Sequence, residues 1–322
     1  MAKNPYLLRT AHPEDCVSVH GSPDAPLEVR DFFLPVEACQ KDEITCMMFH
    51  KVSEEKLDIG YHQHTSGTET FIPIKGRIEI VVQGIKTYME PGDIVHIQPY
   101  MGHSFRAAEP DSYMMCLFQG FDMINLMSLR GAAEKNDPDL KFDKAYHDMG
   151  NVLSHKIDRK IPDPLEMPRE EIFCIRRQGT GLFEYSYPGI DLYQKVGPWE
   201  THGLKEMWEA DMKKGVKIEW GDRHPDYRLF FINKGVVDFT VDGEKFTVDE
   251  EALVRIPPFL PFSIECVEDA RVYDLDCPDL LGNMLEELGD PAKERWSKDP
   301  DELKALLKKF SCSITSYRYD PS

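Results

Sequence analysis

Apolar and polar side chains alternate along residues 77–83 as far as Gly84, and the pattern returns over 86–89 before Pro91-Gly92-Asp93. Alternation over such short runs places every second side chain on one face of a sheet, so these segments predict half-buried strands joined by glycine turns. Many short strands of this kind predict an all-β barrel or sandwich. The period changes after Phe121, where Met123, Leu126, Met127 and Arg130 fall at helical spacing. A second helix is signposted near residue 300. Asp299 and Glu302 form a capping-box-like pair around Pro300, and Lys308 and Lys309 stand at the far end, where cations are favoured.

The order of strands, turns and helix then recurs at a constant offset. Lys75-Gly76 matches Lys234-Gly235, Pro99 matches Pro258, Met48-Phe49 matches Met207-Trp208, and Leu126 and Leu129 match Leu285 and Leu288, each pair 159 residues apart. A fixed offset across separate landmarks predicts a duplicated domain, 25–150 and 185–310, with no gap inside the repeated core. The 322 residues suffice for two such domains. Residues 151–184, with Pro162, Pro164 and Pro168, suit a connector, which leaves 311–322 as a tail.

Charge and cysteine content narrow the partners. With 38 basic against 57 acidic residues the net charge is −19. No basic run offers phosphate a counter-charge, so nucleic acid and anionic membrane surfaces are excluded as expected partners. No apolar stretch reaches the ~18 residues a membrane helix needs, and the first residues lack the apolar core of a secretion signal. The eight cysteines are scattered without Cys-x-x-Cys spacing, as expected of free thiols in a reducing cytoplasm.

The residues that carry chemistry lie in the first repeat. His62 and His64 are two residues apart, so on a strand both rings leave the same face. Glu69 opens the next strand after a turn at Ser66-Gly67, and His103 comes from a third strand. Three imidazoles and one carboxylate form a donor set of intermediate softness. It suits one divalent transition metal (Fe, Mn, Ni, Co, Cu or Zn) and not Ca²⁺ or Mg²⁺.

His62-Gln63-His64, Glu69 and Gly76, followed by Gly92-Asp93, Pro99 and His103, resemble the two signature motifs of the cupin superfamily. The leading glycine, Gly60, stands nearer the first histidine than is usual, and Ala107 replaces a common asparagine. The resemblance implies two tandem double-stranded β-helix barrels with short helical extensions, and one metal held by His62, His64, Glu69 and His103. It leaves the reaction open, because one fold hosts many chemistries. The layout is similar to gentisate-type dioxygenases, which lack the glutamate ligand. The expected activity is therefore a metal-dependent dioxygenase, an oxidoreductase acting on a small aromatic or enolisable acid. A redox-neutral isomerase or lyase and a non-catalytic binder are the alternatives. Glu69 is the candidate base. Phe71 and Phe105, which share strand parity with Glu69 and His103, are candidates for the substrate pocket.

Adding 159 to the ligand positions gives Gly221, Arg223, Arg228 and Phe262, none of them a ligand, so the second repeat is expected to hold no metal. Arg228 is expected either to pair with Asp222 or Asp226, or to join Arg223 in a cationic pocket for an anion. If the ligands face the barrel interior, the rows Leu57, Ile59, Tyr61 and Val216, Ile218, Trp220 point outwards. Exposed apolar rows mark partner surfaces, so assembly through them is expected, between the two halves or as a homo-oligomer.

Overall fold

A computed structural model describes residues 4, 6–9, 17–20, 28–32, 46–52, 58–64, 67–109, 112–119, 154–156, 164–172, 174–201, 203, 205–222, 224, 227–277 and 313–321; for 8, 9, 17–60, 113, 118 and 154–156 the description is of backbone alone. The helices expected around 121–130 and 299–309, and Leu57, lie outside the described residues. Among those described, no helix is long and apolar enough to cross a membrane. Strands dominate, as the alternation predicted, and the described helices are single 3-10 turns, Arg169–Glu171 and Pro198–Glu200.

The chain divides into two units, 12–178 and 1–11 with 179–322. In the first, one sheet runs in the order Ser154–Lys156, Asp58–His64, His103–Ala107, Ile78–Val82, Ile85–Met89 and Leu165–Glu166. Its other sheet runs Ile175–Arg176, Ile94–Ile97, Thr68–Lys75, Ser112–Gln119, Cys46–Val52, Glu28–Phe32 and Val17–His20. Three short strands of this unit come from residues expected to be linker. Ser154–Lys156 pairs with the strand that bears His62 and His64, Leu165–Glu166 with Ile85–Met89, and Ile175–Arg176 with Ile94–Ile97.

The second unit repeats the topology. Ile78–Val82, Ile85–Met89 and His103–Ala107 recur as Val237–Val241, Glu244–Val248 and Phe262–Cys266, each 159 residues on. The order Ala252–Ile256, Arg228–Lys234, Ala270–Cys277, Glu206–Met212, Ile190–Val196 matches that of the first unit's larger sheet. Leu7–Arg9 adds an edge strand here, pairing with Ala252–Ile256. The expected tail contributes Ile314–Tyr319, which pairs with Val216–Trp220. Both additions supply hydrogen-bond partners to strands that would otherwise present open edges.

The second unit's core gathers Trp208, Phe230, Phe239, Val254, Phe262 and Val272. Val216 and Trp220 belong to it, which corrects the expectation that Val216, Ile218 and Trp220 face outwards. The outward side chains of that strand are Lys217 and Glu219, which pair with each other at 2.8 Å. Burying the apolar row removes the reason to expect assembly through it.

The described cysteines Cys116, Cys174, Cys266 and Cys277 are buried thiols, not joined in disulfides to one another. Burial, with Asp269 nearby, pushes the Cys266 thiol up to about 12. The thiolate is the reactive form. Cys266 is therefore expected to resist alkylation in the folded protein at pH 8 and to react at an ordinary thiol rate in denaturant. Mass-spectrometric mapping checks this, and rapid native labelling of Cys266 would contradict its burial.

Candidate metal centre

Three strands of the first unit carry the four ligand-type side chains. His62 and His64 lie on Asp58–His64, Glu69 on Thr68–Lys75, and His103 opens His103–Ala107. Antiparallel pairing sets His103 opposite His62. The glutamate comes from the facing sheet, so the cluster spans the barrel interior. All four residues are buried, and their ligand atoms lie within 4.8 Å of one another. Donors bound at ~2.0–2.2 Å to one ion stand roughly 3–4 Å apart, and the observed spacing is close to that. This is the only such group among the described residues.

The hydrogen bonds also point to a cation. His103 Nδ1 lies 2.9 Å from the Met101 carbonyl oxygen, which can only accept, so Nδ1 carries the proton. A neutral His103 then presents the lone pair of Nε2 to Glu69 Oε2, 3.0 Å away. Two acceptors at that separation need a proton or a metal ion between them. His64 Nε2 lies 2.9 Å from the same oxygen. A backbone carbonyl that fixes one imidazole nitrogen, leaving the other for an ion, is the usual support of a metal-binding histidine. Burial alone would push the Glu69 carboxyl up, but where protons bridge these atoms the hydrogen bonds with His103 and His64 outweigh it and hold the group well below the usual carboxylate range. Glu69 is thus a ready anionic donor. The site is built for one divalent transition metal.

Phe71 and Phe105 are buried beside the cluster. Their rings are 4.9 Å apart, and Phe71 lies 5.8 Å from the His103 ring. Tyr61 is half-buried. Its ring packs on Gly102, where a Cβ would come within 2.3 Å of the Tyr61 hydroxyl, and that hydroxyl hydrogen-bonds the Gly84 backbone. Glycine is required there so that the residue before His103 can lie against Tyr61. His96 stands apart from the cluster, bonded through Nδ1 to Thr70 Oγ1 at 2.8 Å.

The second barrel shows where the sequence offset misleads. In the first barrel Phe105 pairs with Ile59 but His103 with His62, so the histidine strand carries one extra residue, a bulge at Gly60-Tyr61. In the second barrel Ile264 pairs with Ile218 and Phe262 with Trp220, without a bulge. Trp220, and not Gly221, therefore occupies the place of His62. Arg228 and Phe262 stand where expected, in the places of Glu69 and His103, since Arg228 pairs with Ile256 as Glu69 pairs with Ile97.

A histidine survives that the offset did not find. Phe259 N–H donates to the His224 carbonyl as Tyr100 N–H donates to that of His64. The His224 ring binds the Leu260 carbonyl at 2.7 Å, the counterpart of the Met101 carbonyl that holds His103. With Phe262 in place of the fourth ligand, that carbonyl is open to His224. Arg228 pairs with Asp274, and its guanidinium lies 5.3, 5.6 and 5.9 Å from the rings of Trp220, Phe230 and Phe262; Asp226 lies outside the described residues. Arg223 lies outside the described residues.

No curated protein matches the chain by sequence. Residues 49–118 match the family model for the cupin domain. Among solved structures, Bacillus subtilis oxalate decarboxylase, described for its Mn(II) centres, is 10% identical with a TM-score of 0.52, over 99% of this chain and 90% of that one. A deletion mutant of the same Bacillus subtilis enzyme is 12% identical, TM-score 0.53, over 99% and 90%. A salicylate 1,2-dioxygenase from Pseudaminobacter salicylatoxidans is 12% identical, TM-score 0.49, over 73% and 71%. At these identities the likeness is one of fold, and it extends over both barrels. The chain has the two-barrel fold of these decarboxylase structures, its residues 49–118 match the cupin domain, and its metal-ligand cluster lies in the first barrel.

Proposed function

We propose that this chain is a metal-dependent dioxygenase acting on a small aromatic or enolisable organic acid. The observation that carries the reading is the shared interior of the ligand cluster and the Phe71–Phe105 pair. When bound, the ion supplies Lewis acidity and, if redox-active, a centre for dioxygen chemistry. Phe71 and Phe105 give a planar substrate an apolar wall and keep bulk water away from its reacting face. His103, fixed through Nδ1 by the Met101 carbonyl, keeps its orientation during turnover. Glu69 is the proton-accepting group nearest the substrate. The hydrogen bonds that hold it ionised also make it a weak base, so it takes a proton only on release from His64 and His103.

That same carboxylate supports a second reading, a redox-neutral isomerase or lyase of a hydroxy- or keto-acid or a sugar derivative, which needs a base but no oxidant. Oxygen-electrode assays on Fe(II)- and Mn(II)-loaded protein separate the two. Catechol-like and β-diketone acids are expected to drive O₂ uptake. Equal conversion under strict anaerobiosis would transfer the assignment to the isomerase or lyase. Ligand binding without conversion under either condition would make the protein a metal-dependent binder.

A further inference from the structure

The interior of the second barrel, where the first holds its ligands, contains a cavity of about 80 Å³. Trp208, Ile218, Trp220, Phe230 and Ile264 are among its walls, and Arg228 and Asp274 are the charged residues that line it. From this we infer that the second barrel is a binding site for a small, neutral, apolar compound, of the size range from a xenon atom to a single hydrocarbon ring.

Two observations favour that class over the anion that an arginine in the place of Glu69 would first call to mind. Arg228 is already matched by Asp274 and also contacts Cys277 Sγ at 3.4 Å, while three aromatic rings surround its guanidinium. A ligand carboxylate entering the cavity would meet Asp274 as well as Arg228 and would gain little net attraction, yet would lose its hydration. The rest of the lining is aliphatic and aromatic, a surface that holds apolar matter well and water poorly. Apolar cavities of ~150 Å³ stay dry and take up benzene or xenon. This one is about half that size, so xenon fits directly and a ring needs a modest shift of the walls. The substitutions relative to the first barrel act together. Trp220 for His62, Phe262 for His103 and Arg228 for Glu69 remove the metal ligands, and Asp274, which pairs with Phe230 as Cys116 pairs with Phe71, balances the one charge introduced.

Methyl NMR of the full chain tests this, with xenon, benzene and benzoate as probes. Xenon and benzene are expected to shift the methyl signals of Ile218, Ile264 and Val272 saturably and to leave Ile80 of the first barrel unmoved. Ala210→Leu, which fills the cavity, is expected to weaken benzene binding at least tenfold. Ile218→Ala, which enlarges it, is expected to strengthen benzene binding, so the idea stays testable if the filled variant folds poorly. Saturable shifts with benzoate at lower concentration than benzene would overturn the inference in favour of an anion site. No shift with xenon or benzene in either the parent or Ile218→Ala would show that the cavity binds nothing.

Discussion

Protein purified without chelator is expected to carry close to one transition-metal ion per chain, and His103→Ala to reduce that content below a tenth. Replacing groups that merely orient a ligand weakens metal sites by roughly 10–100-fold, so removing a ligand itself is expected to weaken this one by at least about 100-fold. His62→Ala and Glu69→Gln should follow the same direction. Glu69→Gln is the sharper case, because it keeps the shape and removes the only negative charge among the four ligands. The fold should survive each change, since the apolar core of the first unit, including Ile72, Ile80, Ile94 and Leu117, is buried without contact to the ligand atoms being required. Elemental analysis beside circular dichroism checks both halves of the statement. Two ions per chain would overturn the account of the second barrel. Arg228 there stands in the place of Glu69 and would repel a cation, and Trp220 and Phe262 offer no donor lone pair.

The largest stability effects should come from Arg228 and Asp274. Both are buried, so removing one takes a close counter-charge from the other in a poorly solvated interior. Breaking such a pair typically costs ~3–5 kcal/mol. With ~2–4 °C lost per kcal/mol in domains of this size, Arg228→Met or Asp274→Met should lower the melting temperature by roughly 6–20 °C. The double replacement should recover most of the loss, because two apolar side chains in place of a buried pair are often neutral or stabilising. The matching position of the first barrel holds an uncharged side chain, the fully buried Cys116. Calorimetry of the two single variants and the double variant gives the coupling directly. Single losses that simply add in the double variant would show that the two side chains do not act as a pair.

Much of the protein is local information, and the sequence alone determined that part. Alternation and glycine turns gave strands, because side-chain direction in a strand repeats every two residues. The fixed offset gave two copies of one topology, and Ile78–Val82, Ile85–Met89 and His103–Ala107 recur at it without deviation. Spacing gave the four ligands, since two histidines at i and i+2 face one way whatever the rest of the chain does. The tertiary structure decided what depends on partners distant in sequence. One bulge at Gly60-Tyr61 shifts the register by a residue, which reverses the facing of everything beyond it. That is why Val216, Ile218 and Trp220 line a core and not a surface, and why Trp220 and His224 went unrecognised as the counterparts of His62 and His64. The apolar character of that row was the available signal, because burial inside the barrel explains it as well as assembly does. Arg228 reaches Asp274, 46 residues away, and Lys195 and Glu209 form a wholly buried pair at 2.7 Å. No periodicity reports such pairs, because a charge is buried only where folding brings its opposite within reach.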